Sequence, residues 1–122
     1  MVAGHLDAEF ARAHWLLSQH YLILALQSQY DQRYRTAGDY LWATAHHLER
    51  TVLWSDARVD GEVLSSLKSI RNMAGRLRNS KRPERAYRER PIKRAAVTLI
   101  AIGQRLDRKV WIEDVLEEQS KQ

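Results

Sequence analysis

Cysteine is absent from the 122 residues, so this chain can build neither a disulfide framework nor a thiolate metal site. Proline occurs twice and glycine five times. That scarcity of breakers, beside abundant Ala, Leu, Arg, Gln and Glu, favours helices throughout. The longest strongly apolar run, Tyr21 to Leu26, is far short of the ~20 residues that span a bilayer. The start Met1-Val2-Ala3-Gly4-His5 lacks the basic opening and apolar core of a secretion signal. The expectation is a cytoplasmic protein with no membrane segment. What is present, 44% hydrophobic residues and four tryptophans, is enough for one folded domain over 1–122.

Apolar periodicity predicts an all-α, single-domain bundle of four to five helices. The first is expected to begin near Asp7, an N-cap residue type. Bulky groups follow at Phe10, His14, Leu17, Tyr21 and Leu24, with a second stripe at Leu16, Ile23 and Tyr30. A helix apolar on two sides is expected at the centre of a bundle. The polar stretch Asp31 to Gly38 should end or bend it. A second helix is predicted over Asp39 to Trp54, with Leu41, Ala45, Leu48 and Val52 inward. A break at Asp56 to Gly61, capped by Asp60, leads into a third with its seam at Val63, Leu67, Ile70, Ala74 and Leu77. Between Pro83 and Pro91 lies a charged connector, a loop or one helical turn. A fourth helix starts at Pro91 and presents Ile92, Ala95, Leu99, Ile102 and Leu106, and a short terminal helix covers Val110 to Gln119.

Basic residues are not spread evenly. From Arg71 to Arg94 there are ten of the twenty cations against two acids, Glu84 and Glu89, a local charge of +8 in a chain of net +5. The other 98 residues therefore sum to −3. A field concentrated this way implies a polyanionic partner. On the outward side of the third helix, Lys68, Arg71, Asn72, Gly75, Arg78, Asn79 and, past its end, Arg82 share a stripe with no acid. An ordinary solvated face mixes both signs, and like charges on one stripe cost a few tenths of a kcal/mol per pair. Arginine outnumbers lysine here, and guanidinium forks grip phosphate oxygens bidentately. Asn72 and Asn79 add neutral donors, Gly75 allows close approach to the helix backbone, and Tyr87 is the aromatic placed to stack on a splayed base. The candidate nucleic-acid-binding set is Lys68, Arg71, Asn72, Arg76, Arg78, Asn79, Lys81, Arg82, Arg85, Tyr87, Arg88, Arg90, Lys93 and Arg94. These are parts of a backbone reader, since no helix-turn-helix, zinc-finger or RNP signature accompanies them. The competing reading is that the arginines pair with acids elsewhere in the bundle or with an acidic protein.

Chemistry of other kinds finds little support. There is no Glu-x-x-His, the unit a di-metal carboxylate bundle requires, and His14 and His20 do not share a face. The stretch Asp56 to Gly61 starts like a calcium loop, but Arg58 and Leu67 stand where oxygen ligands are needed. No Arg-x4-His or Arg-x6-His of a helical nuclease occurs, and no nucleophile elbow. The expectation is a non-enzyme without metal or cofactor. Of the tryptophans Trp15, Trp42, Trp54 and Trp111, the sequence marks Trp54 and Trp111 as candidate protein-docking anchors.

A small, cysteine-free, basic, all-helical chain with the stripe Lys68, Arg71, Arg78, Arg82 and the connector arginines Arg85, Arg88 and Arg90 resembles the small helical subunits of CRISPR effector complexes. The resemblance is one of size, class and charge over the whole chain. It implies several copies side by side, sequence-independent contacts to a target or displaced strand of single-stranded DNA or RNA, and partner subunits that supply specificity. The alternative is a helical interaction module, a phage or plasmid inhibitor or an antitoxin, that docks on an acidic protein surface.

Overall fold

With so few breakers, each helix runs until the chain must reverse. The computed structural model describes the backbone over 2–55 and 61–120, and side chains over 9–55, 61–104 and at 106. The first helix, α1 (Val2–Tyr30), starts earlier than Asp7. It ends in a tight reversal in which the Arg33 N–H donates to the Ser28 carbonyl at 2.8 Å and the Gln32 N–H to Gln29 at 3.0 Å. This is the paired-bond C-cap usually completed by glycine. Gln32 fills the left-handed position instead, at φ 58°.

The second helix, α2 (Tyr34–Trp54), begins five residues before Asp39 and takes Gly38 into its interior. A Cβ on Gly38 would lie 3.1 Å from Leu77 Cβ and Cγ and 3.3 Å from the Ala74 carbonyl oxygen. The glycine therefore serves the close approach of α2 to α3 (Gly61–Asn79), at some cost in helix propensity. A single turn, α4 (Pro83–Ala86), occupies the charged connector. The last helix, α5 (Arg90–Ser120), is continuous where two helices are expected. Asp107, Arg108 and Lys109 include no proline or glycine, so nothing interrupts the helix there.

The centre of the bundle is α2, which touches α1, α3, α4 and α5, whereas α1 and α3 do not meet among the described residues. This corrects the expectation that the first helix is central. Among the described residues of α1, Ala11, Ser18, Leu22, Ala25 and Ser28 are buried, while Leu16, Ile23 and Tyr30 face solvent. Small side chains let two helix backbones approach closely, and large apolar groups on α1 signalled burial that its neighbours do not provide. Thr44, Thr51 and Thr98 are buried because each hydroxyl donates to the carbonyl four residues back at 2.8 Å. The expected seam of α3 holds, with Leu67, Ile70, Ala74 and Leu77 buried, as does that of α5 from Ile92 to Leu106. Trp15 ties α1 to α5, its Nε1–H donating to the Leu99 carbonyl at 2.9 Å. Its ring occupies the space a Cβ on Gly103 would need, 2.6 Å from Cζ2. The proposed Asp60 cap and the side chain of Trp111 lie outside the described residues.

One end of the bundle gathers residues distant in sequence. An Arg35 Nη2 donates to the Ser80 carbonyl at 2.7 Å, and the Tyr34 and Tyr87 rings lie 4.7 Å apart. These contacts bring 31–39 against 76–94, where eleven Lys and Arg face four Asp and Glu, a formal +7.

Candidate functional site

The cations of α3 fall on two flanks. On the flank toward α2, Arg78 Nε donates to Asp39 Oδ1 at 2.6 Å and Arg71 Nη1 to Glu49 Oε2 at 3.1 Å. Both guanidiniums also lie over the Trp42 ring, at 5.2 Å and 5.9 Å from its centroid. Trp42 in turn stacks on His46, with centroids 5.3 Å apart and planes 5° from parallel. The acid-free stripe expected around Arg71 and Arg78 is thus corrected. It looked acid-free because its acids sit on α2, 22 and 39 residues away in sequence.

The flank toward α5 is different. Ser65, Lys68, Ser69, Asn72, Met73 and Arg76 line a shallow groove of about 410 Å³, and no carboxylate is among them. Arg94 on α5 is half-buried at this wall and donates from Nη1 to Ser69 Oγ at 3.0 Å. Lys68, Arg76, Lys81, Arg82, Arg85 and Arg90 are exposed and have no carboxylate in ion-pair range among the described residues. Asn72 and Asn79 are exposed as well. Arg88 folds back, donating to the Arg85 and Tyr87 carbonyls at 2.8 Å and 2.7 Å. Lys93 has an exposed partner in Glu89 at 3.6 Å. Sequence reasoning overlooked Arg33 and Arg35, which reach this end through the turn after α1. The contact of 31–39 with 76–94 is a tertiary one that no spacing rule announces.

The groove adjoins a deeper cavity of about 190 Å³, and Met73 and Arg76 line both. Ala37, Leu41, Leu77, Pro91 and Ile92 form its apolar walls, with Arg76 and Arg88 the charged members of its lining. Tyr87 also lines it and packs against the hydrophobic core, so its ring is not the open platform expected from the connector. Tyrosine is mostly apolar surface, and beside Tyr34 it buries that surface. Its hydroxyl is buried without a hydrogen-bond partner. Burial, helped by Glu89 and Tyr34, pushes its pKa up to about 12, so the phenol stays protonated at neutral pH.

Three histidines, His14, His46 and His47, gather where α1 meets α2. His14 and His47 meet through their Nδ1 atoms at 3.0 Å, and Tyr21 stacks on His47 with centroids 5.4 Å apart and planes 4° from parallel. Burial lowers both histidine pKa values below 6.5; Arg50 and His46 add to this at His14, and His14 and His46 at His47. Among the described residues no group of three His, Asp or Glu side chains could hold a metal ion. Nor is any described helix long and apolar enough to cross a membrane.

No protein-family model matches this chain, and neither does any curated protein or solved structure.

Proposed function

We propose that the chain is an accessory subunit that holds single-stranded nucleic acid by its phosphates, without reading sequence, within a larger ribonucleoprotein complex. The observation carrying this reading is the carboxylate-free groove of α3, which leads into a bundle end where eleven cations face four acids. Lys68, Asn72 and Arg76 supply charge and neutral donors along the groove, and Arg82, Arg85 and Arg90 continue the charge past its end. Phosphates spaced along a strand fit a row of unpaired cations better than a compact anion does. The likeness to the small helical subunits of CRISPR effector complexes rests on this basic face. It adds the expectation of adjacent copies and of partners that supply specificity.

Binding of the purified chain to labelled single-stranded and duplex oligonucleotides across a salt series tests the reading. Log affinity should fall linearly with log salt, by about 0.7 per phosphate neutralised on a single strand, for a total slope of several units. No retention at low salt would refute it. A second reading, docking on an acidic protein, is favoured by the apolar groups left exposed. Phe10 and the Trp54 ring, 5.4 Å apart, form one such patch, and Leu16, Ile23 and Tyr30 form another. An interface anchored on these would persist at high salt.

A further inference from the structure

We infer that the cavity between α2, α3 and α5 receives a single unstacked nucleobase from the strand whose phosphates lie in the adjoining groove. The inference rests on the phosphate-binding reading and deepens it. At about 190 Å³ the cavity is smaller than the roughly 300 Å³ at which pockets for drug-sized ligands begin, and it suits one ring system. Its walls, Leu41, Met73, Leu77, Pro91 and Ile92, offer apolar surface to the faces of a base. Apolar walls grip the faces of a ring and read no edge, so the pocket favours no particular base.

The mouth supplies the rest. Arg76 belongs to both groove and cavity and has no carboxylate partner, which places a guanidinium where the phosphate of an inserted nucleotide would sit. Arg88 lines the cavity too, and its bonds to the Arg85 and Tyr87 carbonyls hold a second guanidinium at that end. A strand threaded along Lys68 and Asn72 would therefore end, or bend, at a pocket for one base. Extruded bases are held in this way, stacked between apolar side chains.

The experiment compares a 12-nucleotide oligothymidylate with an abasic strand of the same backbone, binding each to the full chain and to two variants. The wild type should bind the thymidylate roughly 5- to 100-fold more tightly, because a sequestered base adds to the phosphate contacts. Ala86→Trp fills the mouth from an exposed position. It should bring thymidylate affinity down to the abasic value and leave abasic affinity and the salt slope unchanged. Arg76→Gln removes the guanidinium shared by groove and cavity, and should weaken both strands while lowering the salt slope by about 0.7. Equal affinity for the two strands, or thymidylate binding indifferent to Ala86→Trp, overturns the base pocket and leaves the phosphate groove standing. Failure of both strands to bind at low salt overturns both.

Discussion

The two flanks of α3 carry cations of the same kind in opposite circumstances. Toward α2, Arg71 and Arg78 each have a carboxylate and share one indole. Toward α5, Lys68 and Arg76 have neither, and the groove between them is lined by serine, asparagine and methionine. A count of charge along the chain treats the four alike. The difference lies in which neighbouring helix presents acids, and it divides one basic face into a structural seam and an open surface.

The sharpest way to break that comparison is charge removal on each side. Lys68→Gln with Arg76→Gln should weaken oligonucleotide retention strongly at moderate salt with the helical circular-dichroism signal intact. Losing two phosphate contacts lowers the salt slope by about 1.4. Arg71→Gln with Arg78→Gln should change affinity far less, because those guanidiniums are already engaged. If the two pairs weaken binding equally, the flanks are not functionally distinct.

Beside the open flank α5 is joined to α3 by the Arg94 to Ser69 bond and tied to α1 by Trp15. Gly103→Ala would force Cβ against the Trp15 ring, moving the ring and straining its bond to the Leu99 carbonyl. The expected loss is about 1–3 kcal/mol, read by denaturant midpoint, although alanine is the better helix former. An unchanged midpoint would mean that the α1 to α5 contact gives way freely and does not fix the position of α5.

How much of this could be read beforehand follows from the physics of each signal. The seam of α3 was legible because Val63 to Leu77 repeats at helical spacing and only one face is apolar. The placement of α1 was not, since Ala11, Ser18 and Ala25 bury by being small and the large Leu16 and Ile23 stay in solvent. Binary patterning weighs size and hydropathy, and close helix contact reverses the weighting. The basic segment was visible in composition. The neutralisation of Arg71 and Arg78, the addition of Arg33 and Arg35, and the inward turn of Tyr87 all depend on tertiary contacts between separate helices.

A third comparison sets α3 against the seam between α1 and α2. His14 and His47 have folded-state pKa values below the unfolded value of 6.5. Above pH 6.5 both states leave these rings neutral and stability is at its full value. As pH falls through 6.5 the unfolded chain takes up protons first, so stability drops until the lower folded values are passed. Full protonation also makes both Nδ1 atoms donors and removes their mutual hydrogen bond. Melting temperature should therefore decline between pH 7 and pH 5, and His14→Gln should flatten that decline. Since α3 contains no histidine, an acid-induced loss that survives in His14→Gln would relocate the sensitivity away from the α1 to α2 seam.

The smallest effect bears most directly on the two flanks. Arg78 and Asp39 are about half exposed, and such pairs couple by roughly 0.2–1 kcal/mol, with about 0.5–1 kcal/mol more from a guanidinium over an exposed indole. A double-mutant cycle of Arg78→Ala and Asp39→Ala should return a coupling in the first range, shrinking as salt is raised. Asp39→Asn then asks whether pairing alone keeps this flank closed. It frees Arg78 without moving it, because Trp42 still holds the guanidinium over its ring. If the released charge recruits a phosphate, the salt slope should steepen by up to about 0.7 and single-strand affinity should rise. If the slope stays fixed while stability falls by the coupling energy, Arg78 serves the seam whether or not Asp39 is charged, and the open flank alone meets the strand.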